Sequence, residues 1–208
     1  MNTVQADFEK RCNEIDTYLG WLVEVEVSPK QIPAGLPATM KAAAVLLLYN
    51  LIESTMTNAV EAVFDELESR KVSFDLLRSE FKIAVIQNVR NCAANKLTAR
   101  MAVVATDIIS ESFDKAKVFN GNVDARRIRE TLSELGVEKT HNYEEAKLHE
   151  IMTARNSLAH GAESFADYGK DLTAPQLVRD FEAVRALLGH VLVDFASYIN
   201  DQRYLGVA

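Results

Sequence analysis

"AAAVLLLYNLIESTMTNAVEAVFDEL", Ala42 to Leu67, contains neither glycine nor proline, and its first half is apolar on almost every face. A helix with that pattern needs neighbours all round it. The run from about Ala38 to Glu68 therefore predicts a central core helix, apolar at first and amphipathic later. Its most apolar part, Ala42 to Ile52, is well short of the roughly 20 residues that a spanning helix needs, so burial in protein is the expectation.

The flanking segments supply partners of the same kind. Phe8, Ile15, Leu19 and Leu22 keep helical spacing within residues 5–27, and "SPKQIPAGLP" then interrupts the chain. From Phe74 to about Phe113 the periodicity predicts two helices with a break near "AANKL". Leu77, Phe81, Ala84, Val85 and Val89 form one stripe, and Met101, Val104, Ile108 and Ile109 another. "KVFNGNVD" carries an Asn-Gly turn signal, and "DARRIRETLSELG" predicts a short helix stopped by Gly136. A further helix is expected from about Tyr143 to His160 with Gly161 as its stop. Thr173, Pro175 and Gln176 then open a last helix reaching about Asp201. No alternating strand pattern and no repeat is visible. The expectation is one all-α domain over residues 1–208, a bundle of about six to seven helices around a long central one.

A net charge of -7 argues against a broad electrostatic grip on nucleic acid, so any such contact has to be local. Cys12 and Cys92 lie far apart without CxxC spacing and suggest neither a zinc ribbon nor a disulfide framework. The charged start (Asp7, Glu9, Lys10, Arg11) is unlike a signal peptide, and the expected compartment is the cytoplasm, with no membrane partner.

There is no glycine-rich phosphate loop and no GxSxG, and "HEIMT" at His149 has Thr153 where a zinc-protease helix needs its second histidine. No metal site is expected. What remains is "ARNSLAHG", Ala154 to Gly161. Its Arg-to-His spacing recurs at Arg185 and His190, so spacing alone decides nothing. Context does separate the two pairs. Arg155 falls within the apolar stripe Leu148, Ile151, Met152, Leu158 and Ala159, where a guanidinium needs a partner. Asn156 stands one turn before His160, able to orient it, and the negative end of the helix suits a cationic imidazole at His160. A histidine at a helix end and an arginine with a snorkelling stem are also ordinary structural residues, and periodicity leaves both readings open. Arg185 and His190 lie mid-helix and are expected to face solvent or to pack.

Two further features are singled out. Glu53, one turn after Asn50 in "LLLYNLIES", is a carboxylate in an apolar stretch, either paired with Arg155 or otherwise supporting it, or simply facing solvent at the edge of the core. Arg126, Arg127 and Arg129, with Lys115 and Lys117 before them, form the densest positive segment, either an RNA guide or a solvated helix face.

"ARNSLAHG" resembles the Arg-polar-x3-His signature of HEPN domains. "LLLYNLIESTMTNAVEAVFDEL", "FNGNVDARRIRETLSELGV" and the helix after "SFADYGKDLT" are similar to segments of a stand-alone bacterial HEPN family of toxin–antitoxin and defence loci, a likeness covering roughly residues 8 to 200. The resemblance implies a metal-independent endoribonuclease that needs no cofactor. It would act as a homodimer with two motif helices facing across one cleft and be restrained by a cognate antitoxin. Carried over, Arg155 and His160 would be catalytic and Asn156 supportive. RNA brings its own 2′-hydroxyl nucleophile, so the protein would only move protons and stabilise charge on phosphorus. Some HEPN toxins carry a tyrosine two residues after the histidine, where this chain has Ala162, so regulation through that tyrosine is not implied. The alternative is a non-catalytic HEPN interaction module that binds nucleotide, RNA or a partner protein.

Overall fold

The computed structural model describes residues 1–28, 32–90, 108–115, 118–119, 121–140 and 145–206. Among them run eight helices: α1 Asn2–Val27, α2 Leu36–Ser69, α3 Ser79–Arg90, α4 Ile108–Ser112, α5 Ala125–Leu135, α6 Glu145–Ala159, α7 Phe165–Gly169 and α8 Ala174–Asn200. The all-α bundle with a long central helix is thus present, and among the described residues the only pairing of extended chain is a bridge between Leu77 and Leu205. The expected break near "AANKL" and the stripe residues Met101 and Val104 lie outside the described residues.

α2 is the axis. Its buried residues, from Ala42 through Leu48, Ile52, Met56 and Val63 to Leu67, pack against α1, α6, α7 and α8 in one apolar cluster that runs from Val4 to Tyr204. By length and hydropathy α2 is also the one described helix able to cross a membrane, a property it shares with buried core helices of soluble proteins. Phe64 stacks on Phe113 at 4.4 Å between ring centroids and meets Phe81 edge-on at 5.4 Å, joining α2 to α3 and the residues after α4.

Polar ties fix how the helices start and stop. Lys41, buried near the start of α2, lies 3.2 Å from Glu26 Oε1 and donates to the Leu172 carbonyl. Glu26 Oε2 accepts the Ala174 N–H at 2.9 Å, so one ion pair gathers the end of α1 and the starts of α2 and α8. The buried Lys41 charge is tolerable because it has both a carboxylate and a carbonyl partner. Asp124 caps α5 by accepting from the Arg127 N–H at 2.8 Å, and Thr173 caps α8 through the Gln176 N–H. Gly136, at φ 74°, ends α5 as its position in the sequence predicts.

Two sequence expectations are corrected. Leu77 is buried but not helical: Phe74–Leu76 form a 3₁₀ turn, and α3 begins only at Ser79. The C-terminal residues hold this stretch extended, with Arg78 N–H donating to the Tyr204 carbonyl at 2.9 Å and Gly206 N–H to the Leu76 carbonyl at 2.8 Å. The short α7, Phe165–Gly169, is an addition to the expected helices. Five residues carry no periodicity, although Ser164, which accepts from the Asp167 N–H at 3.1 Å, is a helix-start signal.

Gly169 on α7 is pressed against α2: a Cβ there would lie 1.8 Å from the Ala38 carbonyl oxygen. Gly169→Ala is expected to cost about 1–3 kcal/mol, measured as a lower urea midpoint at unchanged slope. Gly189→Ala on α8, where a Cβ meets nothing within 4 Å, is expected to stabilise by up to about 1 kcal/mol.

Tyr198 is fully buried and donates to the Leu135 carbonyl. Burial pushes its phenol well above the ordinary tyrosine range, so the folded chain keeps a proton that the unfolded chain releases. The associated stability is full below pH ~10 and declines as pH rises beyond it. Urea titrations at alkaline pH are expected to show a smaller decline for Tyr198→Phe than for the wild type.

Candidate active site at the end of helix α6

The end of α6 is shaped by Gly161. At φ 69° this residue turns the chain left-handed, its N–H reaching the Leu158 carbonyl at 3.3 Å while the Ala162 N–H reaches Ser157 at 3.0 Å. Those bonds cap the last carbonyls of the helix. His160 is left as the exposed residue just past Ala159, its own N–H bonded to the Asn156 carbonyl at 3.1 Å.

The buried stripe of α6 is Leu148, Ile151, Ala154 and Leu158, with Met152 half-buried. Ala159, expected in that stripe, is exposed, because the helix turns Ala154 inward instead. Arg155 lies at the stripe's edge, half-buried. Among the described residues it forms no ion pair. Its Nη1 donates to Asn156 Oδ1 at 2.8 Å, and its guanidinium carbon lies 4.8 Å from the centre of the Tyr49 ring. That cation–π contact is worth about 0.5–2 kcal/mol, depending on how dry it is.

The turn after α4 closes over the same point. Gly121, at φ 72°, approaches so closely that a Cβ on it would lie 2.8 Å from Arg155 Nη2. Two α2 side chains one turn apart hold this turn. Glu53 Oε1 accepts the Gly121 N–H at 3.0 Å, and the Tyr49 hydroxyl accepts the Val123 N–H at 3.1 Å. Asn122 Oδ1 accepts from Asn156 Nδ2 at 3.4 Å, which links the turn to α6. Burial raises the Tyr49 phenol; the Val123 N–H that it accepts lowers it, the neighbouring Glu53 carboxylate adds to the rise, and Arg155 opposes it.

The structure thus brings Arg155, Asn156 and Glu53 around one turn, with His160 one helical turn beyond Asn156. Glu53 does not pair with Arg155; it holds the Gly121 turn that covers the guanidinium. The Asn156 side chain is engaged with Arg155 and Asn122, and its described link to His160 is through the backbone. Tyr49, Gly121 and Asn122 are absent from the candidates read in the sequence. "LLLYN" and "FNGN" carried their signal, but nothing in the spacing showed that the two segments meet.

The basic residues of α5 do not form a bare cationic face. Arg126 pairs with Glu130 at 3.5 Å, and Arg127 pairs with Glu130 at 3.6 Å and Glu134 at 3.1 Å. Arg129 is exposed, while Lys115 is bonded to Glu61 at 2.5 Å. Lys117 lies outside the described residues. Arg185 and His190 are exposed on α8, as are His149 and Thr153 on α6. Among the described residues no three His, Cys, Asp or Glu side chains gather as a metal-binding group.

The fold is an all-α bundle with a long central helix, and an arginine and a histidine stand five residues apart at the end of a later helix. The family can be named: the MAE_28990-like HEPN family model matches residues 1–204, and the chain belongs to that family. No curated protein and no solved structure matches it.

Glu53→Ala removes the acceptor of the Gly121 N–H. A cost of about 1–3 kcal/mol is expected by urea denaturation. Asn50→Ala, one turn earlier and exposed, should stay within about 0.5 kcal/mol of wild type.

Proposed function

We propose that this protein is a metal-independent endoribonuclease that cleaves RNA by attack of the 2′-hydroxyl on the adjacent phosphate. The observation that carries the reading is Arg155, which among the described residues has no carboxylate partner and stands on the same helix end as the exposed His160. HEPN domains serve as RNases or as nucleotide-binding modules, and a guanidinium without a carboxylate partner among the described residues suits a phosphate in either role.

In the cleavage reading His160 moves the proton, as base toward the 2′-hydroxyl or as acid toward the leaving 5′-oxygen. Arg155 stabilises the charge developing on the phosphate oxygens, and Asn156 holds the guanidinium from the side. Two copies of the chain bring their α6 ends to one cleft, so the active form is a homodimer. The protein acts in the cytoplasm as a toxin of a toxin–antitoxin or defence system, restrained by a partner protein. The charge of -7 and the internally paired Arg126 and Arg127 favour a second reading, a non-catalytic HEPN interaction module that binds nucleotide, RNA or a partner protein.

Purified protein incubated with RNA in EDTA is expected to release fragments ending in a 2′,3′-cyclic phosphate and to leave DNA intact, read by gel and mass spectrometry. His160→Ala should slow cleavage about 10²–10⁴-fold, and Arg155→Ala about 10²–10³-fold. A folded wild type that binds RNA but never cuts it establishes the second reading. Variants as fast as wild type remove the assignment of these two residues, and a monomer by light scattering removes the shared cleft.

A further inference from the structure

Three stretches far apart in sequence converge on one side chain. The Tyr49 ring lies 4.8 Å from the Arg155 guanidinium carbon, and Asn156 accepts from Nη1 at 2.8 Å. Gly121 crowds the group so closely that a Cβ would sit 2.8 Å from Nη2 and 3.5 Å from both Cζ and Nη1. The turn carrying Gly121 cannot withdraw without breaking the bonds of Gly121 N–H to Glu53 and of Val123 N–H to Tyr49. Both acceptors belong to α2, the helix at the centre of the core.

We propose that Tyr49 and Gly121 are positioning residues for the reaction described above, forming with Glu53 a clamp that fixes the plane of the Arg155 guanidinium. This inference rests on the endoribonuclease reading. A guanidinium binds phosphate through parallel N–H donors in a rigid fork, so the orientation of its plane decides whether both bonds form. On a long flexible stem that orientation has to be imposed from outside. Here Tyr49 supplies the surface on which the group lies, Asn156 fixes one edge, and Gly121 limits movement at Nη2. Glycine at 121 matters in two separable ways: its φ of 72° is one that side chains rarely adopt, and a methyl group there would push the guanidinium aside. Gly35 has the first property without the second, with φ 84° and nothing within 4 Å of a Cβ.

The pair makes the test. Gly121→Ala and Gly35→Ala each place a side chain at positive φ, and only the former meets Arg155. In RNA cleavage by the full chain, Gly121→Ala is expected to lower kcat about 10²-fold, the scale of an ångström's misplacement, with little change in KM, while Gly35→Ala retains wild-type kcat. Wild-type kcat in Gly121→Ala, or an equal loss in Gly35→Ala, overturns the clamp. A second readout needs no activity. The ¹⁵N relaxation of the Arg155 Nε–H, assigned by its loss in Arg155→Lys, should give an order parameter near the rigid value of about 0.85 in the wild type and below about 0.6 in Gly121→Ala. Equal mobility in the two proteins rejects the clamp even if RNA is never cut. A rigid wild-type guanidinium in a protein without RNase activity upholds the clamp and removes only the endoribonuclease reading.

Discussion

A helix that is apolar around most of its circumference cannot leave a face in water, and α2 imposes that constraint on the molecule. The other helices are arranged to cover it, and the few polar residues along it mark where something is tied down. Lys41, at its start, meets Glu26 and the Leu172 carbonyl, gathering three helix ends at one charge. Tyr49 and Glu53, further along, take the backbone N–H groups of a turn that lies more than sixty residues away in the chain. Because buried polar groups have to be satisfied, each of these side chains selects one arrangement of its neighbours.

The candidate site follows from the second of those ties. Arg155 and His160 share a helix, yet their environments differ. Gly161 turns the chain so that His160 is open to solvent. Arg155 is half-buried and held by an aromatic face, an amide oxygen and a glycine. The arrangement sets a half-buried cation and an exposed imidazole on one helix end. The basic stretch of α5 has a different character. Its glutamates, spaced three, four and seven residues from the arginines, neutralise much of the positive charge along the helix.

Most of the helices could be read directly, because long apolar periodicity and end signals such as Thr173 and Gly136 act locally. What escaped was governed by contacts distant in sequence. Leu77 fits a helical stripe, but pairing of its neighbours with Tyr204 and Gly206 keeps it extended. Five residues of α7 are too short for periodicity, and that helix is positioned by Gly169 lying against Ala38. In the site, Glu53 stood out as a lone carboxylate, but its partner was the Gly121 N–H rather than Arg155. Backbone donors have no signature in a sequence.

The sequence by itself determined that the chain is helical, that α2 lies at its centre, and that "ARNSLAHG" ends a helix with an arginine on one side and a histidine at its tip. Those are consequences of local periodicity and of Gly161. Only the tertiary structure decided what surrounds the arginine. Tyr49 and Gly121 are 106 and 34 residues from Arg155, and their meeting depends on the packing of α2, α6 and the turn before α5. A side chain's chemical type is written in the sequence; the direction in which it is held is set by whatever the fold brings against it.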